Sequence, residues 1–194
     1  MNHLLLCSAS PRRRTLLSEL GLSFNVVAPD VDETTLLGES ALELPVRLAR
    51  AKARAGLTVH AGDAVVALGA DTVVVVDGTT LGKPRDRADA DRMLTALSGR
   101  THQVVTGICA IGERECTAHV ITSVQFRVLS PSVRRWLVDS GESDDKAGAY
   151  AAQGRAGAFI ERIVGSWSNV VGLPLAETLE LLTRAGLALP WTLP

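Results

Sequence analysis

Residues 64–76 read Ala-Val-Val-Ala-Leu-Gly-Ala-Asp-Thr-Val-Val-Val-Val, and no other stretch limits the fold of this chain so tightly. A Val-rich apolar run of this length predicts a buried strand. Asp71 interrupts it with a carboxylate. A buried, unpaired carboxylate is expensive, so Asp71 must bind a cation, accept hydrogen bonds or act as a base. The plainer alternative is an Asp at a bulge that caps a loop.

Strand and helix signals alternate loosely around this run. Residues 3–8 read as a short buried strand. Ser10 then caps a helix with Pro11 at its first position and Leu16, Leu17 and Leu20 as its stripe, ended by Gly21. Residues 23–28 alternate as a second strand, before the acidic cluster Asp30, Asp32 and Glu33. Ser40-x-x-Glu43 is a capping-box pattern that opens a helix to about Gly56. Asp77-Gly78 signals a hairpin, and Leu81-Gly82-Lys83-Pro84 ends its return strand. Further helices are expected over 86–98, from Ser130-Pro131 to Gly141, and over 173–185. Strands are expected over 102–112, 117–129 and 158–164, with a glycine-rich segment at 147–157. The pattern argues for an α/β fold with a mixed sheet, carried by one domain over residues 1–194.

The 20 basic and 21 acidic residues give a net charge of −1, and aromatic content is 4%. That disfavours a nucleic-acid-binding face. No apolar run approaches a membrane span, and the start lacks the basic region of a signal peptide. Cys7, Cys109 and Cys116 form no Cys-x-x-Cys pair, which points to free thiols and a cytoplasmic protein. His3, His60, His102 and His119 are too scattered for a zinc site.

The cations are distributed unevenly. Of the 20 basic residues only Lys52, Lys83 and Lys146 are lysines. Arg12, Arg13 and Arg14 fall in the first turn of a helix, where the helix dipole disfavours cations. A bound anion would reverse that preference, drawing on the Ser8 and Ser10 hydroxyls and the guanidinium forks. Arg13 also falls in the apolar stripe. On a helical wheel Lys52 lies opposite Arg47, Arg50 and Arg54, on the apolar side, where it either snorkels or meets an anion. Lys83 could reach a phosphate. Lys146 either touches ligand or pairs with Asp144 or Asp145. Gln153 suits a nucleobase edge or a turn equally. Glu33 could join Asp71 as a second metal carboxylate. Together these are the parts for a divalent cation and a polyphosphate ester.

Six segments resemble the Maf family of nucleoside triphosphate pyrophosphatases, once called septum formation proteins. They are Ser8-Ala-Ser-Pro-Arg-Arg13, Arg47-Leu-Ala-Arg-Ala-Lys52-Ala, Gly69-Ala-Asp-Thr-Val-Val74, Leu81-Gly-Lys-Pro84, Asp145-Lys-Ala-Gly-Ala-Tyr-Ala-Ala-Gln-Gly154 and Asn169-Val-Val-Gly-Leu-Pro-Leu175. They occur in family order over about residues 4–186. The resemblance implies a fold akin to the inosine triphosphatase (Ham1) group, with two lobes around a cleft, and often a homodimer. It implies cleavage between the α and β phosphates with a divalent cation, Mg²⁺ or Mn²⁺. By the same resemblance Asp71 is the proton acceptor. Ser8, Arg13, Lys52 and Lys83 contact phosphate, and Glu33 with Asp71 stand on the metal side. Arg12, Thr72 and Gln153 match the dTTP/UTP branch, although Ala151 and Ala152 stand where many relatives have Gly-Ile. A nucleotide-binding regulator of division, or an enzyme acting on 7-methyl-GTP or CTP, is the alternative.

Overall fold

The computed structural model describes residues 3–60 and 65–192. Ala64, the first residue of the Val-rich run, lies outside the described residues. Among the described residues seven strands form one sheet in the order β2-β1-β3-β5-β6-β7, with β4 paired to β3. The strands are β1 (His3–Cys7), β2 (Phe24–Val27), β3 (Val65–Val76), β4 (Thr79–Leu81), β5 (Thr101–Ile111), β6 (Glu115–Phe126) and β7 (Ile160–Val164). The helices are α1 (Pro11–Glu19), α2 (Glu43–Val59), α3 (Arg87–Leu97), α4 (Pro131–Asp139), α5 (Trp167–Val171) and α6 (Leu175–Arg184). β1 runs parallel to β2 and β3. β4 is antiparallel to β3 and β7 to β6, so the sheet is mixed.

The chain divides into two compact units. The first holds residues up to Asp71, Thr106–Val120 and the chain from Gly172 onward. Its core includes Leu5, Cys7, Ala49, Ala53, Ala67 and Cys109. Small residues let α2 lie directly on the strand backbones. A Cβ on Gly69 of β3 would fall 2.0 Å from the Ala49 carbonyl oxygen, and one on Gly107 of β5 would fall 2.3 Å from the Pro45 carbonyl carbon. Neither position can carry a side chain unless α2 moves.

The second unit holds Thr72–Val105 and Ile121–Val171. Its core includes Val74, Leu81, Leu94, Leu97, Phe126, Leu129 and Tyr150. Asp77 (φ 50°) and Gly78 (φ 73°) turn β3 into β4, as the Asp-Gly pair predicts. Asp86 caps α3 by accepting from the Asp89 N–H at 2.7 Å, and Ser130 caps α4 by accepting from the Val133 N–H at 3.3 Å.

Three local expectations change. Ser10 precedes α1 in extended conformation but makes no side-chain cap. Its own N–H donates instead to the Ser8 hydroxyl at 3.2 Å, so the turn is closed from residue 8. The Ser40–Glu43 box does form: Ser40 N–H donates to the Glu43 carboxylate at 2.9 Å, and Glu43 N–H donates to Ser40 Oγ at 3.2 Å. The helix it introduces continues past Gly56 to Val59. Gly56 is there for close packing, since a Cβ would collide with Cys7 Sγ at 2.2 Å. Helix α5 was not anticipated, because a five-residue helix is too short to show a period.

Candidate active site

Asp71 ends the first of the three segments that make up the first unit and is 9% exposed. Its carboxylate is met by Lys52. The Lys52 Nζ lies 2.6 Å from Asp71 Oδ1 and 2.6 Å from Glu33 Oε1. The Lys52 side chain is 12% exposed, the Asp71 side chain 13% and the Glu33 side chain 42%. The wheel correctly separates Lys52 from the arginines. What it meets there is a pair of carboxylates. One ammonium shared by two carboxylates satisfies a buried charge that would otherwise be costly.

Ser8 and Arg13 adjoin this triad in the sequence of contacts. Arg13 is 8% exposed. Its Nε–H donates to the Gly172 carbonyl at 2.8 Å, and its Nη1 donates to the Ala70 carbonyl at 2.8 Å and to Ser8 Oγ at 3.1 Å. The guanidinium therefore ties α1 to the residue before Asp71. Burial pulls Arg13 below its ordinary pKa, and the nearby Asp71 charge pulls it back up. An arginine stays charged through such shifts. Ser8 Oγ accepts from both the Ser10 N–H and Arg13. With those acceptor sites filled, its own proton is directed to donate, which suits a phosphate oxygen. Arg12, the next residue of the same turn, is half-buried.

Thr72, Lys83 and Gln153 belong to the second unit. Thr72 is half-buried on β3, while Lys83 and Gln153 are exposed. The Gly148 N–H donates to the Gly82 carbonyl at 3.0 Å, which fastens the segment before Gln153 to the residue before Lys83. Lys146 forms an ion pair with Asp145.

Asp71 and Glu33 are hard oxygen donors converging on one cationic atom, the Lys52 Nζ. That donor set fits Mg²⁺ or Mn²⁺, which commonly take one or two carboxylates and complete their shell with water and phosphate. No group of three His, Cys, Asp or Glu side chains suited to a metal occurs among the described residues. A cation here would take its remaining oxygens from water or from substrate phosphate.

The sequence reading missed the partners of Arg47. Its fork binds Glu39 through Nε–Oε1 at 2.5 Å and Nη2–Oε2 at 2.9 Å. Arg50 and Arg54 instead share Glu115, so the three arginines are not one solvated stripe. The only available signal was the run of acids upstream of α2. Cys7 and Cys109 are pushed up to about 12 by burial, which makes them inert thiols.

Residues 3–185 match the family model described as Maf-like protein. The chain is 53% identical to a dTTP/UTP pyrophosphatase of Myxococcus xanthus, covering 97% of this chain and 95% of that one. It is 50% identical to a dTTP/UTP pyrophosphatase of Salmonella typhimurium, covering 95% and 93%. Among solved structures, a HAM1 protein from Coxiella burnetii aligns with a TM-score of 0.52 at 17% identity, over 95% of this chain and all of that one. That likeness concerns the fold, and it agrees with the mixed sheet and flanking helices. No helix among the described residues is long and apolar enough to cross a membrane. The model match across nearly the whole chain, together with identities of about half, places this chain in the Maf family.

Proposed function

We propose that the chain is a nucleoside triphosphate pyrophosphatase that hydrolyses the α–β phosphoanhydride of dTTP and UTP. The products are the nucleoside monophosphate and pyrophosphate. One observation carries the reading: a buried ammonium, Lys52 Nζ, is shared by Asp71 and Glu33. Such an ammonium can turn to an anionic triphosphate, whose divalent counter-ion would then meet the two carboxylates.

In this mechanism Asp71 accepts the proton of a water whose oxygen attacks the α-phosphorus. The bond from the α-phosphorus to the bridging oxygen breaks, and pyrophosphate leaves. Mg²⁺ or Mn²⁺ held by Glu33 and Asp71 would neutralise phosphate charge and make a water more acidic. Lys52 leaves the carboxylates for the phosphates, and Lys83 adds a second ammonium. Ser8 donates its proton to a phosphate oxygen. Arg13 presents its charge from a fixed frame, because two carbonyls and Ser8 hold it. Preorganised cations of this kind usually supply the largest share of catalysis. Arg12, Thr72 and Gln153 set the base preference, with the Gln153 amide able to donate to and accept from a pyrimidine edge. Residues 1–194 act as one catalytic domain, in the cytoplasm and as a homodimer.

The test is to incubate the protein with dTTP, UTP, CTP and 7-methyl-GTP plus Mg²⁺ and to resolve the products by chromatography. Monophosphate and pyrophosphate from dTTP and UTP are expected. Diphosphate and inorganic phosphate would sink the mechanism. Binding without turnover would make the chain a nucleotide-binding regulator instead.

A further inference from the structure

A triphosphate that approaches Lys52 competes with Glu33 and Asp71 for its three ammonium N–H donors. When its ammonium moves to phosphate, Glu33 loses its 2.6 Å ion pair. Glu33 lies between β2 and α2, in a stretch without helix or strand where residues 32–38 are all exposed. The loop that carries Glu33 then bears on where its carboxylate stays during turnover.

Arg47 is built to do so. Its fork grips both oxygens of Glu39, at 2.5 Å and 2.9 Å. The same Nη2 donates to the carbonyl of Thr34, the residue after Glu33, at 2.9 Å. Glu39 Oε2 also accepts the Leu36 N–H at 3.0 Å, and the Glu39 N–H returns to the Leu36 carbonyl at 3.1 Å. The loop is thus closed on itself and fastened to α2, the helix that also carries Lys52. An ordinary surface ion pair contributes little. This one differs: the Glu39 side chain is 7% exposed in an otherwise exposed loop, and the contact is bidentate with a third bond to the backbone. The Arg47 hydrogen bond holds the Glu39 carboxyl below its ordinary range.

We propose that the Arg47–Glu39 pair positions the Glu33 carboxylate for a divalent cation while Lys52 is engaged by the triphosphate. The proposal rests on the pyrophosphatase reading. Arg47 and Glu39 are positioning residues: they touch neither substrate nor metal, and they act through Glu33.

The experiment titrates Mn²⁺, followed by its paramagnetic resonance signal, into protein saturated with the α,β-methylene analogue of dTTP. Arg47→Lys keeps the charge and loses the fork. The half-saturating Mn²⁺ concentration should rise roughly tenfold, as is usual when a group that orients a metal ligand is lost. Glu39→Gln should shift it in the same direction, and thermal unfolding identifies folded variants. Raising Mn²⁺ should restore turnover of dTTP in Arg47→Lys, a rescue that general loosening of the fold would not give. An unchanged Mn²⁺ midpoint in folded Arg47→Lys would overturn the proposal and leave the pair as a loop anchor. Failure of the wild type to split dTTP or UTP would overturn the pyrophosphatase reading, in an assay separate from the Mn²⁺ titration.

Discussion

The two units differ in the polar groups at the centre of each. The first buries charge: Asp71 against Lys52, and Arg13 against two carbonyls and a hydroxyl. The second also buries a charge, Asp89, held by Arg85 and Arg92, but beside its main core it buries a neutral pair. His102 Nε2 lies 2.8 Å from the Tyr150 hydroxyl. Both rings stand edge-on to Phe126, with centroids at 5.1 Å and 4.8 Å. Burial pushes His102 down to about 4 and Tyr150 well above its ordinary value. Each member is therefore held in its uncharged form at neutral pH. A buried ion with a movable partner can trade that partner for a ligand. A neutral hydrogen-bonded pair gains nothing from an incoming charge, and it serves to fix the packing. At these two places chemistry and rigidity fall to different kinds of polar group.

Asp71→Asn gives the largest way to break this contrast. It keeps the shape beside Lys52 and removes the base, so initial rates of dTTP hydrolysis should fall roughly a thousandfold. A loss below tenfold would show that the buried charge is structural only. Lys52→Met comes next. It strands Asp71, and urea unfolding should record a loss on the order of 3 kcal/mol. The same variant should bind Mn²⁺ more tightly than wild type when no nucleotide is present. Arg54→Gln, which removes an equal charge from an exposed position of the same helix, should not.

The neutral pair gives a pH test. Unfolded His102 titrates near 6.5 and folded His102 near 4, so the unfolded state binds more protons between those values. Stability therefore rises with pH across that window, and the His102 contribution is lost as pH falls from about 6.5 toward 4. The total is up to about 3 kcal/mol. Denaturation midpoints of wild type and His102→Leu should converge as the pH is lowered. Parallel curves would mean that His102 does not titrate as a buried group. The smallest effect belongs to Tyr150→Phe, which removes one hydroxyl. A loss of about 1 kcal/mol with an unchanged denaturant slope is expected.

Much of this was legible in residue order. The Val-rich run is β3, Asp71 is its buried carboxylate, and the Asp-Gly pair turns it into β4. The stripe that enrolled Arg13 among apolar residues correctly foretold its burial. Lys52 was half legible. The wheel gives the face of a helix, but it cannot name the residues that the sheet brings opposite. Glu33 and Asp71 come from segments 19 and 19 residues away on either side, joined only by folding. Arg47–Glu39 was hidden for the same reason, since two exposed-looking charges carry no sign of mutual capture. The failure at Ser10 was local. Two serines compete for one turn, and spacing alone does not decide which hydroxyl faces the backbone N–H.

The bare backbone at Gly69 and Gly107 has a consequence that reaches past packing. A lysine stem has a fixed length, so the spacing between α2 and β3 works as a gauge for whether Lys52 can touch Asp71. A methyl group at Gly69, set against the Ala49 carbonyl, would widen that gauge with every charged residue still present. Inactivating changes in this protein should therefore include silent-looking glycines, and a search confined to ionisable groups would pass over them.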